Sequence, residues 1–148
     1  MNRTARFKLC LAAAAALLLG ACATPYGSTG LAGGYAQTRV NDELTKVDFY
    51  GNGFITADKI QMFALYRCAE VARDAKKAHF VLYDSLTGAA RDLPAEQPRV
   101  GTLGGKPVAF ALLSLQDNPR KGSQETSAVL ARLKPLVQPP VPAEGAKR

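Results

Sequence analysis

The sequence predicts an α+β domain, a mostly antiparallel sheet of four or five strands packed by one long helix and one shorter helix. Three observations lead there. Residues 57–77 place Ile60, Ala64, Leu65, Cys68, Val71, Ala72 and Ala75 on one face at 100° per residue, the pattern of an amphipathic helix. Residues 44–50 alternate instead, with Leu44, Lys46, Asp48 and Tyr50 on one side and Thr45, Val47 and Phe49 on the other, the period of a half-buried strand. Val108–Leu115 (VAFALLSL) is almost wholly apolar, as a strand covered on both faces must be.

The chain opens with three cations, Arg3, Arg6 and Lys8, then the apolar run Leu9–Leu19, then small residues. That order is the n-region, h-region and cleavage site of a secretory signal peptide over residues 1–21. The run is 11 residues long, against about 20 for a helix that spans a bilayer, so the segment reads as export and not as a membrane span. Leu19-Gly20-Ala21-Cys22 resembles the bacterial lipobox: an aliphatic residue, two small residues, then cysteine. The resemblance implies cleavage before Cys22, a diacylglycerol thioether on its sulfur and acylation of its new amino group. Ala23 is not the aspartate that resembles an inner-membrane retention signal, which points to the periplasmic leaflet of the outer membrane.

Residues 22–34 then read as the lipidated cysteine and a flexible tether, because the stretch is rich in Gly, Ser and Thr and has no apolar period. The folded domain is expected over residues 35–134. It begins with two strands around Asn41-Asp42-Glu43, whose turn chemistry suits a reversal. Val47 and Phe49 are expected to face the core, and Gly51-Asn52-Gly53 stops the second strand. Thr56 caps the long helix and Asp58 complements its dipole. Glu70, Arg73, Asp74 and Lys77 form its solvated face, and Phe63 and Tyr66 lie on the flank toward the hairpin. His79–Asp84 is a short strand, and residues 85–98 read as a long surface loop. Arg99–Leu103 and Lys106–Leu115 form a hairpin over Gly104-Gly105. After the turn 117–122, Ser123 caps a second helix that runs to about Leu133 on Val129, Leu130 and Leu133. Pro135 ends it, and residues 135–148 read as a Pro-rich disordered tail.

Charge and cysteine content exclude several classes. The formal charge is +7 over 148 residues and +4 over the 127 that follow the signal peptide. The remaining cations are scattered, which describes a mildly basic surface and not a nucleic-acid footprint. Of three cysteines, Cys10 leaves with the signal, Cys22 carries lipid, and only Cys68 remains in the domain, so no internal disulfide framework is available.

The motifs with the residue types for chemistry resolve into structural readings. His79 is the single histidine, and neither a zinc set nor a Ser-His-acid constellation accompanies it. Residues 101–106 (GTLGGK) fail the phosphate-loop pattern, since Val100 stands at its first glycine and Pro107 at its Ser/Thr, so they read as a hairpin turn. Gly51-Asn52-Gly53 precedes a helix and has the form of an anion nest, but a turn is the simpler account. Asp42, Glu43 and Asp48 sit on a turn and an exposed strand face with no cleft around them. Arg67, at the border of the buried helix face, is expected to pair with Asp84 or Asp48. Lys147-Arg148 ends in Arg, which argues against attachment of a terminal lysine to the cell wall. No catalytic, cofactor-binding or metal-binding residue is assigned, and no cofactor is expected. Cys22 is the one site residue, for lipidation.

Gly34-Tyr35 with Thr38-Arg39, the run Phe49-Tyr50-Gly51-Asn52-Gly53-Phe54, the run Ala64-Leu65-Tyr66-Arg67-Cys68-Ala69-Glu70 and the aromatic strand at Phe80 together resemble an uncharacterised family of small proteobacterial lipoproteins. The likeness covers roughly residues 34–84. Cys68 stands where that family usually has Ala, and Lys77-Ala78 where it often has Gly. The resemblance implies a lipoprotein but carries over no activity and no catalytic residue. The expected function is therefore a non-enzymatic envelope lipoprotein, anchored in the membrane through Cys22, meeting an unknown envelope protein or polymer and no nucleic acid. The alternatives are a small-ligand-binding lipoprotein and an envelope-polymer hydrolase.

Overall fold

A computed structural model describes residues 24–138. Its elements are β1 (Gly34–Arg39), β2 (Leu44–Tyr50), α1 (Ala57–Asp74), β3 (His79–Tyr83), α2 (Leu86–Ala90), β4 (Arg99–Leu103), β5 (Lys106–Gln116), β6 (Ser123–Glu125) and α3 (Thr126–Val137). The class is α+β, as expected, with six strands in place of four or five. Every pairing is antiparallel, in the order β1-β2-β5-β3-β6. The expected lipidation site Cys22, the expected signal peptide over residues 1–21 and residues 139–148 of the expected tail, Lys147-Arg148 among them, lie outside the described residues.

β5 is the axis of the sheet. One of its edges pairs with β2, from Tyr50↔Val108 to Leu44↔Ser114. Its other edge is shared: β4 takes the first half, ending at Arg99↔Phe110, and β3 takes the second, from Tyr83↔Leu112 to His79↔Gln116. Because β2 and β3 both run against β5, they are parallel to each other and α1 is the crossover between them, a split β-α-β unit with β5 inserted. The near-continuous apolar run of β5 suits that central place, but the strand is not covered on both faces as expected: Phe110 and Ser114 on its outer face are half-buried.

The turns form where their residues direct. Asn41 Oδ1 accepts from the backbone N–H of Glu43 (2.9 Å) and Leu44 (2.8 Å), closing the β1–β2 turn. Gly104 and Gly105 take φ of 57° and 75°, the mirror-image geometry that a two-residue hairpin needs and that only glycine adopts freely. Thr56 Oγ1 accepts from Lys59 N–H at 3.3 Å and caps α1.

The core lies between one sheet face and the helix pair α1 and α3. Val47, Phe49, Phe80, Leu82 and Leu113 point to it from the strands, and Ile60, Ala64, Cys68 and Ala72 from α1. Each fully buried Leu, Ile or Phe contributes about 1.5–3 kcal/mol relative to exposure. The alanines let α1 approach the sheet closely. A smaller cluster of Val81, Tyr83 and Leu112 occupies the opposite face, covered by Ala89 of α2 and by Leu44.

Several expectations are corrected. α1 ends at Asp74, so Ala75 is exposed and Val71 half-buried; Lys76, at φ 59°, turns the chain with its N–H on Arg73 O (2.8 Å). Glu70 is not on a solvated face but is 8% exposed. The loop 85–98 contains α2, capped by Ser85 Oγ, which accepts from Gly88 N–H at 3.0 Å. Ser123 does not cap the last helix; its hydroxyl closes the turn on Arg120 N–H (2.9 Å), and its backbone opens the edge strand β6. α3 is instead fixed by Thr126, whose N–H bonds Ala78 O (2.9 Å) and whose Oγ1 donates to Lys77 O (2.8 Å). Nor does Pro135 end α3, which runs on to Val137. A proline inside a helix costs about 3 kcal/mol, and burial of Val137 against the core offsets much of that. The folded unit thus extends past residue 134.

The largest correction concerns residues 24–34, which are docked and not a free tether. Thr24 is 1% exposed, and its Oγ1 accepts from Asn52 N–H at 2.7 Å. The chain then pairs with the start of β1: Tyr35 N–H donates to Gly27 O (2.8 Å), and Thr29 N–H to Tyr35 O (2.9 Å). The glycines that made this stretch read as flexible are required by close packing. Gly33 has φ 98°, and a Cβ there would lie 2.2 Å from Tyr50 O.

Cys68 stands in the middle of the buried face of α1, as the helical arc predicts. Burial pushes its thiol up to about 12, so it stays protonated and unreactive. We expect slow labelling by a thiol reagent in the native protein and fast labelling in denaturant, with Cys68→Ala costing about 1 kcal/mol. Rapid native labelling would place the thiol at the surface.

Candidate functional site

The sheet face opposite α1 and α3 is covered over only part of its length. α2 and the turn 117–122 close over Tyr83, and beside them a broad open groove of about 1150 Å³ runs toward the β1–β2 turn. Leu44, Ser114 and Gln116 form part of its floor, and Arg39, Asp42, Lys77 and Arg120 part of its rim. Several of the charges along it are paired. Arg39 meets Asp42 at 2.7 Å and Lys77 meets Asp117 at 2.8 Å. At the α2 end, Tyr83 Oη donates to Asp92 Oδ1 at 2.8 Å, and Arg120 bonds both. Burial, and then the bond to Asp92, push the Tyr83 phenol above its ordinary range, while that same hydroxyl holds the Asp92 carboxyl below its own. A neutral phenol thus donates to an ionised carboxylate, which fixes the loop and leaves neither group poised to take a proton. Small-molecule pockets are mostly apolar and enclose their ligand; this groove is wide, polar and of mixed sign, the form of a contact surface.

A second polar cluster lies between α1 and the docked N-terminal segment. The Tyr26 ring packs on Tyr35, Phe49, Phe63 and Tyr66, with centroids 5.2–5.9 Å away. Its hydroxyl donates to Glu70. Arg67 meets the same carboxylate at 3.1 Å, donates to Gln37 Oε1 at 3.0 Å and lies 4.2 Å over the Tyr35 ring. The expected pairing of Arg67 with Asp84 or Asp48 is therefore not formed: Asp84 bonds the Ser85 hydroxyl and Asp48 pairs with Lys46 (2.7 Å). Helical spacing alone brings Glu70 to Arg67, an i,i+3 pair, and that signal was legible. What Tyr26 does was not, because its segment has no period.

Burial first, then the Glu70 bond, push the Tyr26 phenol well above its ordinary value of 10.0. Burial likewise raises Tyr66 and Tyr83. In each case the folded state holds a proton that the unfolded chain releases near pH 10. The stability this confers is complete below that value and is lost as pH rises beyond it. We expect urea midpoints that hold level across neutral pH and fall above pH 9–10, with a shallower fall in Tyr26→Phe. An unchanged slope in that variant would remove Tyr26 from the account.

The remaining sequence candidates stay apart. At Gly51-Asn52-Gly53 the N–H groups of Gly51, Asn52 and Phe54 are taken by Pro107 O, Thr24 Oγ1 and Asn52 Oδ1, so these three donors are committed within the fold. His79 is half-buried at the start of β3, its Nδ1 without a hydrogen-bond partner. Residues 101–106 are the β4–β5 hairpin. Among the described residues, no group of three His, Cys, Asp or Glu side chains is gathered as a metal site would need, and no helix is long and apolar enough to cross a membrane. No family model, curated protein or solved structure matches this chain.

Proposed function

We propose that this chain is a non-enzymatic envelope lipoprotein, held by acyl chains on Cys22 at the periplasmic leaflet of the outer membrane, whose domain acts through protein or envelope contacts. The lipobox-like Leu19-Gly20-Ala21-Cys22 behind an export signal, and the likeness of residues 34–84 to a family of small lipoproteins, support the anchor. The observation that carries the contact role is the open, polar groove along the partly covered sheet face. It offers a partner a polar surface of mixed sign and no enclosed reaction chamber.

Stable anchoring needs more than one acyl chain, each buried methylene contributing about 0.8 kcal/mol. Cys22→Ser is expected to leave an unprocessed or soluble chain. Retention of the variant on membranes after a high-salt wash, together with an unacylated wild-type chain by mass analysis, would overturn the anchor. Crosslinking of the lipidated protein in intact cells from a photoreactive residue at Asn41 or Ser114, in the groove, tests the contact role and is expected to capture an envelope partner. Capture from a residue on the solvent side of α3 and not from the groove would reassign the surface.

A further inference from the structure

The docking of residues 24–34 decides how the domain stands on its membrane, given the lipid anchor proposed above. Cys22 is two positions before Thr24, so its sulfur-bearing residue lies within about 7 Å of Thr24 even if the chain between is fully extended. Thr24 is fixed to the domain by burial and by its bond from Asn52 N–H at 2.7 Å. Acyl chains on Cys22 would therefore enter the bilayer close to the end of the domain that carries Asn52.

The same end carries an unusual set of side chains. Leu31 protrudes wholly from the turn closed by Gly30 and Gly33. Phe54 is 72% exposed, two residues past Asn52, and Leu103 is 64% exposed at the β4–β5 hairpin. Leu31, Leu103, Asn52 and Lys106 border one shallow depression of about 190 Å³. These apolar groups come from three separate loops and share the end where Thr24 enters. Val40 in the β1–β2 turn, Leu86 at the start of α2, Leu93 just past its end, and Leu136 on α3 are also exposed, and scattered exposed apolar residues are ordinary for a protein surface.

We infer that Leu31, Phe54 and Leu103 form a membrane-seating surface that inserts into the headgroup and acyl boundary of the bilayer holding the Cys22 lipid. The occupant is a phospholipid surface. Apolar side chains at an interface gain by entering the acyl boundary while a neighbouring cation stays at headgroup level. Lys106 supplies that cation. β2 then leads away from the membrane, from Tyr50 at the seated end to Leu44, about 20 Å on at the usual strand rise. The β1–β2 turn and the mouth of the polar groove thus face away from the lipid, toward a partner.

The test is site-directed spin labelling of the mature, lipidated protein in vesicles of phosphatidylethanolamine and phosphatidylglycerol. In a Cys68→Ala background, single labels are placed at Leu31→Cys, Phe54→Cys and Leu103→Cys, with Asp42→Cys at the far turn as reference. All four positions are exposed, so the fold should tolerate each change, and circular dichroism checks it. The expected result is an oxygen-to-nickel-complex collision ratio several-fold higher at 31, 54 and 103 than at 42. Mass analysis of the same samples separates the two readings. Acylated Cys22 with water-like ratios at all four positions overturns the seating and leaves the anchor standing. Unacylated Cys22 overturns both.

Discussion

Tyr26→Ala is expected to destabilise the domain by about 3 kcal/mol, the low end of the range for removal of a core aromatic ring, because the ring is half-buried against the core. For a domain of this size that is a fall in melting temperature of about 10–20 °C. The ring fills the space between Tyr35, Phe49, Phe63 and Tyr66, and its hydroxyl is one of the partners of the buried Glu70 carboxylate. Truncation opens a cavity and weakens the hold on Glu70 at once. Tyr26→Phe keeps the packing and loses only the bond to a charged acceptor, so it should cost about 2 kcal/mol. Thermal and urea unfolding by circular dichroism measure both. A change below about 0.5 kcal/mol in Tyr26→Ala, the usual size of a surface effect, would return residues 24–34 to the status of a loose tether.

Arg67→Met should be comparably severe, costing about 3–5 kcal/mol, because it removes one partner of a buried ion pair and leaves the other charge behind. The side chains of Arg67 and Glu70 are 15% and 11% exposed, and Arg73, the other cation near Glu70, is 3.8 Å away and half exposed. Methionine retains the stem that lies along the Tyr35 ring but not the guanidinium that bonds Glu70 and Gln37. The double variant Arg67→Met with Glu70→Gln keeps an acceptor for Tyr26 and removes the stranded charge. It is expected to be more stable than Arg67→Met alone. If the two changes simply add, the pair is not coupled and the cost of Arg67→Met is lost packing.

The elements with a strong local signal were legible. The 3.6-residue period of α1, the alternation of β2, the Gly104-Gly105 turn and the apolar run of β5 each follow from spacing and turn chemistry, and each stands where the sequence puts it. Cys68 was legible as a buried thiol for the same reason. Glu70 was misplaced because helical phase and its pair with Arg67 both suit a solvated face, and Tyr26, whose hydroxyl donates to it, is 44 residues earlier in the chain. β6 was missed because Ser123, Gln124 and Glu125 have little strand propensity; they are extended only because β3 offers an open edge. Pro135 was read as a stop because local chemistry disfavours it inside a helix, while the burial of Leu133 and Val137 on either side outweighs that preference.

The candidate site divides in the same way. Sequence alone determined the class of the fold and its chief elements with a strong local signal, since each of these rests on neighbours within a few positions. Only the tertiary structure decided that β5 separates β2 from β3, that β3 and β4 share one edge of it, and that one sheet face is left with an open groove. It also decided that the glycine-rich segment is packed, with Tyr26 half-buried against the core and Leu31, Phe54 and Leu103 brought to one end. The physical reason is range: periodicity and turn chemistry act over three or four residues, whereas the groove and the docked segment arise from contacts between residues far apart in the chain, whose formation depends on shape complementarity that no local pattern encodes.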